Sequence, residues 1–129
     1  MTLTELQKIF PSATEDTWHQ HLNGKGWVQN TSTVADTAYV GPDAQVSGSA
    51  WEASPLYIQG SRHCLTHCKQ GHIQIGCHCL TIGEWQERYK AIGRMEGYTP
   101  EQIEEYGLYI ELFAQRDKAV FPPQEATTE

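Results

Sequence analysis

The chain has 129 residues, 39% of them hydrophobic and 19% charged, which is the composition of a folded domain rather than a disordered chain. Its formal net charge is −7, so duplex nucleic acid and anionic membranes are disfavoured as partners, because both are bound through basic side chains. No apolar run is long enough to span a bilayer and the N-terminus lacks a secretory signal, so we expect one cytoplasmic domain over residues 1–129.

Residues 1–24 are predicted to form two short helices. An apolar stripe at helical spacing indicates the first helix, which stops before Pro11. The stripe consists of Leu3, Leu6, Ile9 and Phe10. Ser12 and Glu15 have the spacing of a capping box, so they predict a second helix, which Gly24 would end.

Residues 26–80 carry an aliphatic or small apolar side chain at almost every sixth position. The series is Val28, Val34, Val40, Val46, Ile58 and Cys64. This period is typical of a hexapeptide β-helix, a triangular coil whose turns take roughly 18 residues, so about three turns are predicted. Glu52 breaks the series, which predicts an irregular coil or a shift of register at 51–52. The alternative is an ordinary small antiparallel sheet.

All four cysteines lie in the second half of this region and alternate with histidines. The group is His63, Cys64, His67, Cys68, His72, Cys77, His78 and Cys79. The spacings Cys-x3-Cys and Cys-x-Cys differ from the CxxC pattern of structural zinc, and Cys77 and Cys79 would point away from His78 on a strand. We therefore expect reduced thiols in or near the core and assign no metal ligand, with zinc as the alternative. Disulfides are not expected without an export signal.

Residues 81–117 are predicted to form a helical hairpin, followed by a frayed tail at 118–129. Capping boxes at 81–84 and 99–102 begin the two helices, and Gly97 is placed to end the first. The predicted fold class is therefore α+β. Its architecture is a short hexapeptide-type β-helix, or a small β-sheet, capped by N-terminal helices and a C-terminal two-helix hairpin.

The hairpin contains more aromatic residues than one packing face needs. They are Trp85, Tyr89, Tyr98, Tyr106, Tyr109 and Phe113. An exposed aromatic stripe is unfavourable for a monomer, so we predict a homo-oligomer. The alternative is that all these rings pack on the chain's own β region.

Motifs of known enzymes are absent from the sequence. It has no GxSxG, no HExxH, no P-loop and no dinucleotide fingerprint. Some hexapeptide coils are acyltransferases with a catalytic histidine, a role open to His63, His67 or His72, but those enzymes generally have more turns. We therefore predict a protein that is not an enzyme, with no catalytic residue and no cofactor.

Arginines beside aromatic rings favour a binding function instead. Arg88 and Arg94 share the first hairpin helix with Trp85 and Tyr89. A guanidinium next to an exposed ring suits a nucleotide, because the guanidinium binds phosphate and the ring stacks on the base. The alternative is that these arginines only form ion pairs along the helix, such as Arg88 with Glu84.

Two segments resemble parts of phage proteins. One is GWVQNTSTVADTAYVGPDAQVSGSAWEASPLYIQGSRHCLTHC, which resembles phage and prophage proteins built from hexad runs of the GDAxV type. The other is IGCHCLTIGEWQERYKAIGRMEGYTPEQIEEYGLYIEL, which resembles the helical-hairpin tail of such proteins. A β region followed by two C-terminal helices is also similar to the Thoeris anti-defence sponge proteins of phages. That family forms oligomers and sequesters cyclic nucleotide immune signals in pockets between subunits.

The resemblance implies capture without turnover of cyclic ADP-ribose isomers, and also of cyclic oligonucleotides, in the host-cell cytoplasm. By residue type and location, Trp85 or Tyr89 would stack on a base. The arginines that would hold phosphates are Arg62, Arg88, Arg94 and Arg116. The acidic composition and the Cys/His group depart from this picture. They leave open a structural or zinc-binding phage β-helix protein, or a hexapeptide acyltransferase.

Overall fold

Three helices and nine short strands make up residues 1–122, the part of the chain that this computed structural model describes. The helices are α1 (Leu3–Ile9), α2 (Ile82–Met95) and α3 (Pro100–Val120). The strands are β1 (Trp18–Gln20), β2 (Trp27–Gln29), β3 (Thr33–Val34), β4 (Gln45–Val46), β5 (Ala50–Trp51), β6 (Tyr57–Gln59), β7 (Cys64–Lys69), β8 (His72–Ile75) and β9 (His78–Thr81). They pair in the orders β1-β2-β4, β3-β5 and β6-β7-β8-β9. The fold class is α+β, as predicted.

The N-terminal region contains one helix and one strand instead of two helices. α1 begins at a capping box formed by Thr2 and Glu5 and ends before Pro11, as predicted. The second predicted helix, at 12–24, is wrong, because Trp18 and its neighbours pair with β2 as an antiparallel strand. Trp18 and Trp27 are both buried in one core cluster, so pairing and packing between the strands override the local capping signal.

In the structure, the first part of the six-residue period corresponds to two pairs of parallel strands. β2 pairs with residues 18 positions further on and β3 with residues 17 positions further on, close to the length predicted for one turn of coil. Val28 and Val46 face each other in the core. Trp51 is buried and Glu52 is exposed, so the register shifts by one residue at 51–52, which was one of the two predicted outcomes.

The predicted three-turn coil is not formed. From Tyr57 onward the strands are antiparallel, and the sheets are small and do not close into a β-helix. Two-residue turns join β7 to β8 and β8 to β9, with Gly71 at φ +73° and Gly76 at φ +56°. Glycine at positive φ is the usual residue of such hairpin turns, so these turns fold the chain back on itself. The alternative of a small antiparallel sheet is the one that describes residues 57–81.

The predicted helical hairpin is confirmed. α2 and α3 begin at the capping boxes of Thr81 with Glu84 and of Thr99 with Gln102, and Gly97 lies between them at φ +79°. α3 continues to Val120, which is three residues into the predicted tail. Residues 123–129 of that tail lie outside the described residues.

The hairpin packs on the antiparallel sheet and forms the largest core cluster. Its buried members are Leu65, Ile73, Ile75, Trp85, Tyr106, Ile110 and Phe113. Tyr89, Tyr98 and Tyr109 pack against this cluster and are half-buried. The aromatic rings therefore do not form the exposed stripe on which the prediction of an oligomer was based. None of the helices within residues 1–122 is long and apolar enough to cross a membrane.

Candidate functional site

Trp85 lies in the core and does not offer a surface to a ligand. Its side chain is 2% exposed, and its Nε1 donates a hydrogen bond to the carbonyl oxygen of Ile73 at 2.8 Å. A base needs one free face of the ring in order to stack. The indole joins α2 to β8, so stacking of a base on Trp85 stays a prediction that its deep burial does not favour.

Arg62 is held by the turn between α2 and α3. Its Nη1 donates to the carbonyl oxygen of Gly97 at 3.0 Å, and its Nη2 donates to that of Glu96 at 3.1 Å. The guanidinium also lies 4.9 Å from the centre of the Tyr98 ring. A cation at the C-terminal carbonyls of a helix is stabilising, so the structure gives Arg62 a structural role here, and a role in binding phosphate stays a prediction.

The remaining predicted residues of α2 are spread over its surface. Arg88 is exposed beside Glu84, whose pKa is lowered mainly by hydrogen bonds from Thr81 and to a smaller extent by Arg88. No carboxylate of residues 1–122 lies within 4.0 Å of Arg88, so the ion pair with Glu84 that was the alternative to ligand binding is not formed. Arg94 lines a shallow crevice beside Pro100. The structure therefore does not bring these arginines together.

Arg116 lies in a larger crevice between α3 and the β region, which we call the Arg116 crevice. It contains about 1010 Å³ of space, part of it open to solvent. Its lining residues are Tyr39, Gly41, Pro42, Asp43, Ser54, Pro55, Leu56, Tyr57 and Arg116. Here one predicted arginine meets two phenol rings and two prolines. The rings here are not the ones that the sequence predicted, and Arg116 is the one predicted residue that lines this crevice.

A backbone hydrogen bond and close packing hold Tyr39 at the crevice. The Tyr39 amide donates to Ser54 Oγ at 2.8 Å, and the ring passes so close to Gly41 that a Cβ there would lie 3.2 Å from it. Even so, the Tyr39 side chain is 52% exposed. It therefore presents a positioned aromatic face to solvent.

Within residues 1–122, Arg116 forms no ion pair in the crevice. Within residues 1–122 no carboxylate lies within 4.0 Å of its guanidinium, which is half-buried. The Asp43 carboxylate instead lies 3.6 Å from the amino nitrogen of Met1. Burial, followed by the neighbouring Cys64, raises the pKa of Tyr57, so this phenol is neutral at pH 7 and acts as a hydrogen-bonding group. The arrangement offers a cation, a stacking surface and a phenol, which together suit an anionic aromatic ligand.

A second cavity lies beneath α2 and contains about 430 Å³ of space, part of it open to solvent. Trp85 and Tyr89 both line it, so the structure does bring these two predicted residues together. Its polar rim consists of two pairs, His63 with Tyr98 at 2.5 Å and His78 with Glu96 at 3.4 Å. None of the predicted arginines is among its described lining residues. This cavity lacks the cation that a phosphate needs.

The Cys/His group is divided among several partners. Within residues 1–122, no set of three or more His, Cys, Asp or Glu side chains is placed to hold a metal ion. His63 contacts Tyr98 and His67 contacts Asp117, while Cys77 is exposed on its own turn. The alternative of a zinc site therefore has no ligand set in the described part of the chain.

Tyr39 and Tyr57 were missed by the sequence analysis, which looked for rings only on the hairpin helices. The signal in the sequence was the segment Tyr39-Val40-Gly41-Pro42, in which a tyrosine lies just before a Gly-Pro corner. Exposed aromatic residues on such loops favour binding. The sequence itself matches no protein-family model, no characterised protein and no solved structure. The similarity to phage sponge proteins therefore stays a prediction based on the segments quoted above.

Proposed function

We propose that this protein binds a cyclic nucleotide in the Arg116 crevice and sequesters it without turnover. The observation that supports the proposal most directly is the half-buried Arg116 guanidinium, which has no carboxylate partner in residues 1–122 and lies in one crevice with Tyr39 and Tyr57. A phosphate would pair with the guanidinium, and a base would stack on Tyr39. The ligand class suggested by the phage resemblance is the cyclic ADP-ribose isomers, together with cyclic oligonucleotides.

The free energies expected for these two interactions are large enough to bind a nucleotide. Base stacking on an aromatic residue contributes about 1–3 kcal/mol, and a charge-assisted hydrogen bond to phosphate about 1.5–3 kcal/mol. One crevice open to solvent would then give moderate affinity. We therefore propose that a second copy of the chain closes the crevice in a homo-oligomer, as the resemblance implies. Such a sponge would act in the cytoplasm of the phage's host.

The lining residues favour recognition over catalysis. No histidine is among the described residues of the crevice, and the Ser54 hydroxyl accepts the hydrogen bond from the Tyr39 amide. A nucleophilic serine would need an adjacent general base. Stacking, charge pairing and phenol hydrogen bonds are all binding interactions, so the ligand should leave the protein unchanged.

Calorimetric titration of the full chain with cyclic ADP-ribose isomers tests the proposal. Arg116→Gln and Tyr39→Ala should each lower affinity about 10- to 100-fold, from the loss of one charged contact or one stacking partner. Arg88→Gln is the matched control, because Arg88 is an exposed arginine outside the crevice, and its affinity should equal that of the wild type. Ligand recovered after denaturation should be chemically unaltered.

Three results would overturn the proposal. Absence of binding by the wild-type chain would favour the alternative of a structural phage protein. An altered ligand would show that the protein is an enzyme. Loss of affinity in Arg88→Gln but not in Arg116→Gln would move the site to α2, where the sequence first placed it.

A further inference from the structure

Two cysteines from different strands meet at the edge of the antiparallel sheet. The Sγ atoms of Cys68 on β7 and Cys79 on β9 are 3.5 Å apart, although β8 lies between the two strands. The pairing of β7 with β8 is irregular between Thr66 and Lys69. Such a bulge changes the direction of side chains, so it accounts for the place of Cys68 outside the regular ladder.

The two thiols differ in exposure. Cys68 is fully buried, whereas Cys79 is exposed on β9, the outer strand of its sheet. We propose that Cys68 and Cys79 are a redox pair that a hydroperoxide converts into a reversible disulfide. Cys79 is the reacting thiol and Cys68 the resolving thiol. This inference does not depend on the proposed nucleotide function.

The electrostatics of the pair agree with these roles. The hydrogen bond from Cys68, with smaller contributions from His72 and Lys69, lowers the pKa of Cys79 to about 6. The same contact and burial raise the pKa of Cys68. At pH 7 the Cys79 sulfur is therefore mainly a thiolate that accepts the Cys68 proton. Thiolate character together with exposure is what makes a cysteine sensitive to oxidation.

The reaction is a two-electron oxidation of the thiols by hydrogen peroxide. The Cys79 thiolate attacks one peroxide oxygen, the O–O bond breaks, and the hydroxide that leaves takes up a proton to become water. The product is a sulfenic acid on Cys79. The Cys68 sulfur then displaces the hydroxyl group from Cys79, the S–S bond forms, and the Cys68 proton leaves with that hydroxyl as a second water.

Forming this bond requires movement of the outer strand β9 as well as of the two sulfurs. The sulfurs must approach from 3.5 Å to about 2.0 Å, and an outer strand can shift more easily than a central one. β9 ends at Thr81, which is also the N-cap of α2. The disulfide would therefore tie the start of the helical hairpin to β7.

Peroxide treatment of the Cys64→Ser/Cys77→Ser variant tests the proposal, since only Cys68 and Cys79 are left. Both thiols should disappear together, the intact mass should fall by two hydrogen atoms, and dithiothreitol should restore both. Adding Cys68→Ser to this variant should instead yield a sulfenic acid that reacts with dimedone. The matched control, Cys68→Ser/Cys79→Ser, retains Cys64 and Cys77 and should form no internal disulfide.

Wild-type protein provides a second measurement that does not depend on the folding of the variants. Trypsin cleaves after Lys69, between the two cysteines, so the disulfide would join peptides 63–69 and 70–88. Fragmentation should place the bond at Cys68 and Cys79. Four free thiols in the wild type after peroxide, a bond through Cys64 or Cys77, or only disulfides between chains would overturn the proposal.

Discussion

The pair formed by His67 and Asp117 is expected to be the main polar anchor of α3. His67 is fully buried, and its Nε2 donates a hydrogen bond to Asp117 Oδ1 at 2.8 Å. The same carboxylate oxygen accepts the backbone N–H of Gly71 at 2.7 Å. One aspartate of α3 therefore satisfies two donors, one on β7 and one on the turn that follows it.

Replacement Asp117→Ala should remove both hydrogen bonds at once. A buried donor left without a partner costs about 1–3 kcal/mol, and a hydrogen bond to a charged group is worth about 1.5–3 kcal/mol. Water can reach Gly71, which is only partly buried, so the imidazole dominates the loss. We therefore expect the free energy of unfolding to fall by about 2–4 kcal/mol. Asp117→Asn keeps one acceptor oxygen and should lose about 1 kcal/mol.

Urea unfolding followed by circular dichroism measures these differences. Asp36→Ala is a suitable control, because Asp36 is exposed and no hydrogen bond or ion pair involves its side chain within residues 1–122. Its unfolding free energy should change by less than about 0.5 kcal/mol. Equal stability of Asp117→Ala and Asp36→Ala would refute the view that the buried imidazole depends on this carboxylate.

Two further predictions concern pH and close packing. Burial lowers the pKa of His67 below its usual 6.5, despite the opposing effect of Asp117, so below about pH 6.5 the unfolded chain binds a proton that the folded chain does not. Stability should therefore fall as the pH falls from about 6.5, and His67→Gln should reduce that slope in unfolding experiments; an equal slope would contradict the assignment. Gly26→Ala should destabilise the protein strongly, because a Cβ there would lie 2.2 Å from the Gly41 carbonyl oxygen. Gly83→Ala should instead stabilise α2 by up to about 1 kcal/mol, because a Cβ at this position would have no other atom within 4 Å. Thermal melting of both variants checks the opposite signs, and destabilisation by Gly83→Ala would show that the helix tolerates no side chain there.

The elements that could be predicted from the sequence are those that depend on neighbouring residues. The capping boxes at 81–84 and 99–102 are local signals, and both helices begin where these signals predict. A similar signal at Ser12 and Glu15 failed, because Trp18 pairs with Gln29 in the adjacent strand. Local propensity is a weak preference that tertiary pairing overrides.

The repeat in the β region gave the buried positions but not the strand pairing. Val28, Val40 and Val46 are buried as the six-residue period predicts. The same period continues through Ile58 and Cys64, where the strands are antiparallel. Periodicity reports which side chains face inward, and it cannot say which strand is the neighbour. Two-residue glycine turns decide that point in residues 57–81.

The binding site was harder to predict from the sequence than the helices and the buried positions. Trp85 is predicted to stack on a base, whereas the structure places its ring in the core cluster against the sheet. Arg116 is one of the predicted candidates, but Tyr39, which lines the same crevice, lies 77 positions away in the sequence. Only the fold brings such residues together.

Arg116, which lines the proposed site, and Asp117, which binds His67, are consecutive residues of α3. Successive residues of a helix point about 100° apart, so one side chain reaches the crevice while the other reaches the buried His67. Val120 and Phe121, just beyond them, pack against the core cluster of the parallel strand pairs. These contacts and the hydrogen bond between His67 and Asp117 hold this end of α3 against the β region. We therefore expect the position of Arg116 in the crevice to depend on contacts that no ligand would touch.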